Sequence, residues 1–212
     1  MSMPKPNCGA AASQALHLIA AGGDLRQLSA ARVLARTFHV TLYGSDAADT
    51  DLPTEPQTAA DVLLLPMPVT KDGETLFAPL CSRPIPLSSL PALVREGGTV
   101  LGGFIPPTLS DTLSAAGCTV GDYAKREDFC VRNAVPTAEG ALQIILEELP
   151  RTLHGLRCLI LGAGRISQAL QPRLSILGAS VTVAARRCSD LARTECDERK
   201  PSFAVCFCHY PE

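Results

Sequence analysis

The stretch CLILGAGRISQAL, residues 158–170, constrains the fold of this chain more than any other segment. An apolar run leads directly into Gly162-Ala163-Gly164, and a helical pattern of residues follows. A strand, a tight glycine turn and a helix form the first half of a βαβ unit. Gly162 permits the sharp turn, and Gly164 lets the backbone approach a pyrophosphate on the helix N-terminus. We therefore predict a dinucleotide-binding corner made of Gly162, Ala163, Gly164, Arg165 and Ile166.

The residues after this corner support the prediction and indicate the cofactor. Dinucleotide-binding corners usually have the pattern Gly-x-Gly-x-x-Gly, and Ser167 stands here at the third glycine position. Serine is small enough for close packing of the helix on the strand. The next strand, SVTVAA, ends at Ala185 and is followed by Arg186 and Arg187. Enzymes that bind NAD usually place a carboxylate at this point, whereas guanidinium groups can hold a 2′-phosphate. We expect NADP rather than NAD, bound also by Ala185, Arg186 and Arg187; the alternative is that both arginines are ordinary solvated charges.

The residues that precede the corner alternate apolar strands with helical patterns. Strands are predicted over 16–20, 39–44, 61–68 and 99–104, and helices after Asp24, at 89–98 and at 108–118. Hydrophobic residues make up 46% of the chain, which is enough for a sizeable core. Alternation of strand and helix is typical of a parallel sheet covered by helices.

The predicted fold class is therefore α/β, with an N-terminal domain built on a mainly parallel sheet and a Rossmann dinucleotide-binding domain that is incomplete. A helix with Leu142, Ile145 and Leu149 on one face, starting at about Thr137, is interpreted as the link between them. The predicted organisation is a disordered tail over 1–14, the N-terminal domain over 15–135, the linking helix over 136–150 and the partial Rossmann domain over 151–212.

Composition excludes several classes of function. The net charge of -2, the aromatic content of 4% and the absence of Trp argue against binding of nucleic acid or of an anionic membrane. No secretory signal is recognisable, and no apolar run approaches the ~20 residues of a membrane span, so we expect a cytoplasmic protein. The nine cysteines are then a reduced set. Cys206, Cys208 and His209 fit no usual zinc spacing, so no metal site is predicted.

Five segments together resemble the A-subunit family of dipicolinate synthase. They are GGDLRQ, LLLPMPVT, AVPTAEGAL, LHGLRCLILGAGRISQAL and LGASVTVAARR, in the same order and spacing over about residues 15–195. The resemblance implies a sporulation enzyme with an N-terminal α/β domain and a Rossmann domain. It further implies a B-subunit-like flavoprotein as partner, and oxidation of the cyclic lysine-pathway intermediate to pyridine-2,6-dicarboxylate, with NADP accepting the hydride.

The small dicarboxylate substrate implied by this resemblance needs cationic groups to orient it, and Arg suits a carboxylate best. Arg26 is the first candidate and Arg132 the second. Each has an alternative: Arg26 could lie along the surface, Asp24 could only cap its helix, and Thr137 with Glu139 could only start one. The residues expected to face the substrate cleft are Asp24, Arg26, Gln27, Thr70, Thr137 and Glu139.

The C-terminal segment departs from the family pattern, whose members are longer. Nothing after about residue 195 matches, which predicts either a frameshift or premature stop in the gene, or a divergent short form in which FAVCFC adds a strand. Half of the nucleotide crevice would then be missing, so no catalytic residue is assigned. The exposed sheet edge favours a homodimer or a hetero-assembly. The alternative function is a non-catalytic module that binds the partner protein or a dicarboxylate without turnover.

Overall fold

The computed structural model describes residues 16–46, 51–195 and 202–206. The chain divides into two compact units, Met1–Lys125 and Arg126–Glu212. The predicted tail over 1–14 lies outside the described residues, as do Cys208 and His209.

The first unit is a five-stranded parallel sheet flanked by helices. Its strand order is β2-β1-β3-β4-β5, and every pair of neighbouring strands is parallel. Because all the strands point the same way, their carboxyl ends share one edge of the sheet, where ligands of such folds bind. The elements are β1 His17–Ala21, α1 Leu25–Leu34, β2 His39–Tyr43, β3 Ala60–Leu64, β4 Val94–Gly102, α2 Pro107–Ala115 and β5 Thr119–Asp122, with short 3-10 helices at Leu87–Leu93 and Tyr123–Lys125.

The core of this unit lies on both faces of the sheet. Ile19, Leu63 and Val100 are fully buried in one cluster. Leu18 and Leu42 belong to a second cluster with residues of α1. Burial on both faces explains why these strands are continuous apolar runs and do not alternate with polar residues.

Three features of this unit differ from the sequence predictions. The helix predicted over 89–98 is a 3-10 helix that ends at Leu93, because Pro91 limits regular helix and Val94 already pairs with Ala60 in β4. Strand β3 ends at Leu64, ahead of two prolines that cannot donate to a sheet ladder. Strand β5 was not predicted, since its four residues are only partly buried or exposed and carry little apolar signal.

The second unit contains a long helix and a three-stranded parallel sheet. The strand order is β6-β7-β8, which is the arrangement of one mononucleotide-binding half of a doubly wound domain. Its hydrophobic cluster includes Leu153, Leu174, Val181 and Val183. The elements are α3 Glu127–Glu148, β6 Arg157–Leu161, α4 Arg165–Ile176, β7 Ser180–Ala185, α5 Cys188–Glu195 and β8 Ser202–Cys206.

Helix α3 begins well before the predicted start at about Thr137 and runs through Pro136. Its first turn carries Glu127 and Asp128, and negative charge is stabilising at a helix N-terminus. The charged segment before Pro136 is therefore helical, and the helix belongs to the second unit by its contacts. The extra strand expected within FAVCFC is present as β8, whose last residue is Cys206.

Membrane-spanning helices and metal-binding clusters are both absent from the described part of the chain. None of its helices is both long and apolar enough to cross a bilayer. Within the same residues, no three His, Cys, Asp or Glu side chains gather closely enough to ligate a metal ion.

Candidate functional site

The glycine corner of the second unit lies between β6 and α4. Gly162 has a φ of 107°, in the region that favours glycine, and its amide donates to the Ala184 carbonyl at 2.7 Å. Helix α4 starts at Arg165 with Gly164 as its N-cap residue, and no described side chain caps it. The amides of a helix's first turn have no acceptor within the helix. The corner therefore offers free N–H donors at the positive end of a helix dipole.

The space in front of this corner is open. A Cβ atom built on Gly162 or Gly164 would meet no atom of the described residues within 4 Å. Elsewhere in the same unit, a Cβ on Gly178 would lie 2.3 Å from His154 Nδ1. An unobstructed backbone next to first-turn amides fits the diphosphate of a dinucleotide.

The third position of the Gly-x-Gly-x-x-Gly pattern, Ser167, is a buried residue of α4. Ser167 and Gln171 are both buried, and Gln171 Nε2 donates to Ser167 Oγ at 2.9 Å. Their hydrogen bond offsets the cost of burying two polar side chains. The burial of Ser167 is compatible with the close packing of helix on strand that glycine allows at this position of the usual fingerprint.

The side chains of Arg165 and Ile166 point to other roles than phosphate contact. Arg165 Nε lies 3.3 Å from Glu127 Oε1 of α3, and Ile166 is half exposed. We therefore expect both residues to serve a cofactor through their backbone amides, together with Ala163 at the turn.

The end of β7 lies beside the glycine corner. Ala184 pairs with Leu161 in the sheet, and Ala185 is buried. Arg186 and Arg187 follow at the exposed carboxyl edge, and neither forms an ion pair with any residue that the structure describes. Two solvent-facing guanidinium groups beside an open phosphate corner are suited to a second phosphate.

The first unit has a different site at its carboxyl edge, built around Arg26. Arg26 Nε and Nη2 donate to the Asp24 carboxylate at 2.9 to 3.1 Å, and Nη2 also reaches the Met67 carbonyl at 3.3 Å. Asp24 additionally accepts from the Arg26 amide at 3.0 Å, which caps α1. The hydrogen bonds with Arg26 lower the pKa of Asp24, and they raise the pKa of Arg26. The structure thus gives Asp24 the capping role that the sequence left open.

Gln27 and Thr70 lie in the same unit and have structural partners. Gln27 is 8% exposed, and its Nε2 donates to the Leu64 carbonyl at 3.0 Å. Thr70 Oγ1 donates to Asp72 Oδ1 at 2.9 Å and accepts from the Gly73 amide at 3.0 Å. Both side chains help to fix the loops that carry the edge, and their contact with a substrate stays a prediction.

Asp122 and Tyr123 belong to this edge and are not among the residues that the sequence singled out. Asp122 accepts hydrogen bonds from the backbone amides of Phe104, Ile105 and Ala124 at 2.9 to 3.3 Å. Tyr123 donates to the Leu65 carbonyl at 3.1 Å, and burial raises its pKa to about 12. In the sequence, Asp122 and Tyr123 are two polar residues at the end of β5. They can be recognised as site residues only if that strand is predicted first.

Thr137 and Glu139 belong to the second unit and lie inside α3. Thr137 Oγ1 donates to the Asn133 carbonyl at 2.7 Å. Glu139 Oε1 forms an ion pair with Arg173 Nη2 at 3.1 Å, which joins α3 to α4. Because α3 begins at Glu127, the alternative that these residues start a helix is wrong. Their role toward a substrate, like that of exposed Arg132, stays a prediction.

The second unit has a parallel sheet with an open glycine corner, and the first has a parallel sheet whose carboxyl edge carries the ion pair of Arg26 with Asp24. These features define an α/β protein of the Rossmann-like class. The family model for the N-terminal domain of the dipicolinate synthase A-subunit matches residues 17–124, just over half of the chain. This chain belongs to the dipicolinate synthase A-subunit family.

A curated relative agrees with this assignment, and a solved structure has a similar fold. The dipicolinate synthase A-subunit of Bacillus subtilis (strain 168) is 26% identical over 189 residues, which is 84% of this chain and 63% of that protein. The chain thus spans less than two thirds of this curated relative's length. The fold is similar to that of the dipicolinate synthase A-subunit from Bacillus halodurans, with a TM-score of 0.75 at 24% identity over 90% of this chain and 68% of the other.

A more distant likeness concerns the fold alone. The transhydrogenase of Sinorhizobium meliloti has a TM-score of 0.54 at 14% identity, covering 89% of this chain and 61% of that one. It shows that the α/β architecture is shared beyond the family.

Proposed function

We propose that this chain binds NADP and a small cyclic dicarboxylate as the A-subunit of a dipicolinate synthase. In the reaction, the cyclic lysine-pathway intermediate would lose a hydride and a proton and become pyridine-2,6-dicarboxylate during sporulation. Family membership supports this proposal, as does the curated relative whose name states the same synthase.

The observation that carries the cofactor part is the open corner at Gly162 and Gly164. No atom from the part of the chain that the structure describes lies within 4 Å of a Cβ built at either position, so a diphosphate can reach the first-turn amides of α4. NADP accepts the hydride when bound. This chain's own task is to hold it, with Gly162, Ala163, Gly164, Arg165 and Ile166 along the diphosphate and with Ala185, Arg186 and Arg187 at the ribose phosphate.

The substrate part rests on the Arg26 edge of the first unit. The guanidinium there is fixed by Asp24 and by the Met67 carbonyl, so it is oriented before a ligand arrives. A preorganised cation lowers the entropic cost of binding a carboxylate. We assign Gln27 and Thr70, which lie in the same unit, to the same substrate; the substrate role of Thr137 and Glu139 in the second unit stays a prediction.

We further propose that the protein acts in the cytoplasm together with a B-subunit-like flavoprotein. It would form either a homodimer or a hetero-assembly with that flavoprotein. Strand β6 supports an assembly, because among the described strands it forms a sheet edge, and its Leu159 and Leu161 are 61% and 78% exposed. Unpaired strand edges with apolar side chains favour contact with another chain. The same observation favours the second candidate function, a binding module without turnover.

The proposal is tested by binding and turnover on the full chain. We expect NADPH to bind at least tenfold more tightly than NADH, which is about 1.4 kcal/mol. Arg186→Gln with Arg187→Gln should abolish this preference and leave NADH binding unchanged. Arg157→Gln is the matched control, because Arg157 begins β6 whereas the glycine corner follows the end of that strand. Equal affinity for the two nucleotides would overturn the assignment of NADP.

Turnover separates the two candidate functions. The cyclic substrate is supplied with NADP, with and without the B-subunit-like flavoprotein, and dipicolinate is measured. Formation of dipicolinate supports the enzyme. Binding of NADPH and of the flavoprotein with no dipicolinate formed in either mixture supports the binding module.

A further inference from the structure

Phe104 combines two unfavourable features at the carboxyl edge of the first unit. Among the residues that the structure describes, it is the single non-glycine residue with a positive φ, 58°. Its side chain is also 63% exposed, although it is a large aromatic group. A left-handed conformation is disfavoured for bulky residues, and an exposed ring gains nothing from the core. Folding alone therefore gives no reason for phenylalanine at this position.

The surrounding loop fixes Phe104 in this conformation. Asp122 accepts the amides of Phe104 and Ile105 through its two carboxylate oxygens at 3.2 and 3.3 Å. The next residue, Ile105, is buried in the hydrophobic core. The preceding Gly103 is also buried, and a Cβ there would lie 2.5 Å from Met67 Cγ. The hydrogen bonds to Asp122 and the burial of Gly103 and Ile105 thus fix the backbone on both sides of Phe104, whose ring is exposed.

The residues around Phe104 also connect it to Arg26. The side chain of Met67 lies against Gly103. The backbone carbonyl of Met67 accepts a hydrogen bond from Arg26 Nη2 at 3.3 Å. A Cβ on Gly103 would also lie 2.9 Å from Tyr123 Cε2. An exposed aromatic ring, a fixed guanidinium and a phenol therefore lie along the same strand ends.

We propose that the Phe104 ring is the flat surface on which the substrate ring stacks while Arg26 binds one of its carboxylates. This inference rests on the proposed function and adds the recognition of a planar ring to it. A planar ring gains from offset stacking on an aromatic face, and the carboxylate gains from a charge-assisted hydrogen bond. Because the ring becomes aromatic during the oxidation, stacking strengthens as the reaction proceeds.

The test compares a planar ligand with a puckered one on the full chain, without cofactor. The probes are pyridine-2,6-dicarboxylate and cis-piperidine-2,6-dicarboxylate, which carry the same two carboxylates. Phe104→Asn removes the ring and suits a left-handed backbone, so the fold should be kept. We expect it to weaken binding of the planar ligand about fivefold and binding of the puckered ligand less than twofold.

Two further variants complete the design. Phe104→Tyr keeps an aromatic face and should restore planar-ligand binding, while Val33→Ala removes an exposed apolar side chain elsewhere in the unit and should change nothing. Equal losses for the two ligands in Phe104→Asn, or no loss for either, would overturn the stacking role. So would binding of the puckered ligand by the unaltered chain without binding of the planar one. The proposed function fails separately, by absence of NADPH binding or of turnover.

Discussion

The two units present glycines at their carboxyl edges for opposite purposes. In the first unit a Cβ on Gly23 would lie 2.4 Å from Gln27 Cβ, and one on Gly103 would lie 2.5 Å from Met67 Cγ. In the second unit the same construction at Gly162 and Gly164 meets nothing within 4 Å. Glycine makes room for the protein's own side chains in one case, and it leaves room for something outside the protein in the other.

This difference teaches how each edge would recognise a ligand. The first edge is lined by side chains that are already paired, such as Arg26 with Asp24 and Tyr123 with the Leu65 carbonyl. The second edge offers mainly backbone amides. Substitutions should therefore damage the first edge through stability or substrate contact, and the second through blocking of the cofactor.

The largest effect is expected from Gly164→Val. The φ of Gly164 is -78°, so valine meets no backbone strain, and no described residue places an atom within 4 Å of the added Cβ. The fold should be kept, while the added side chain occupies the position of the diphosphate. We expect NADPH affinity to fall at least a hundredfold, about 2.7 kcal/mol, measured by fluorescence titration.

The matched control for that variant is Gly140→Val, because Gly140 lies in α3 of the same unit and a Cβ there also meets nothing within 4 Å. It should leave NADPH affinity unchanged. Wild-type affinity in Gly164→Val would show that no diphosphate lies at the corner.

An intermediate effect is expected from Gly103→Ala in the first unit. The methyl group would overlap Met67 and Tyr123 unless the loop moves. Overpacking of this kind costs about 1 to 3 kcal/mol of unfolding free energy. The measurement is urea unfolding of the full chain, and the comparison is Gly140→Ala, which should not destabilise. A Gly103→Ala chain as stable as wild type would mean that the loop relieves the crowding at no cost.

The sequence predicted the parts of the fold that depend on local pattern. Continuous apolar runs located β1, β2 and β3, and the strand before Gly162 located the open corner. The 3-10 helix ending at Leu93 and strand β5 depend on pairing with distant strands, so a local pattern could not reveal them.

The candidate site was predictable to the same extent. Backbone-built features follow from glycine spacing, so the strand, turn and helix around Gly162 were predictable, while binding of a cofactor there stays a prediction. Side-chain pairings such as Asp122 with the Phe104 amide join residues far apart in sequence, and only the folded sheet brings them together. The preference for NADP rests on Arg186 and Arg187 and stays a prediction.

The smallest effect is expected from Asp24→Asn, which removes the ion pair with Arg26 and keeps a helix-capping side chain. The pKa of Asp24 is lowered in the folded state, so its ionised form stabilises the fold above the ordinary carboxyl pKa. That contribution is lost as the pH falls through the folded-state pKa, below about pH 4. Because the Arg26 side chain is 67% exposed, solvent screening limits it to under about 1 kcal/mol.

Urea unfolding of wild type and Asp24→Asn at several pH values checks this sign. The difference in unfolding free energy should be present at pH 7 and should shrink on acidification. Asp111→Asn, which alters an exposed carboxylate in α2 of the same unit that forms no ion pair with any residue the structure describes, serves as the comparison and should show little difference at either end. A gap between wild type and Asp24→Asn that widens toward low pH would mean that the carboxylate of Asp24 is destabilised by its surroundings, contrary to its lowered pKa.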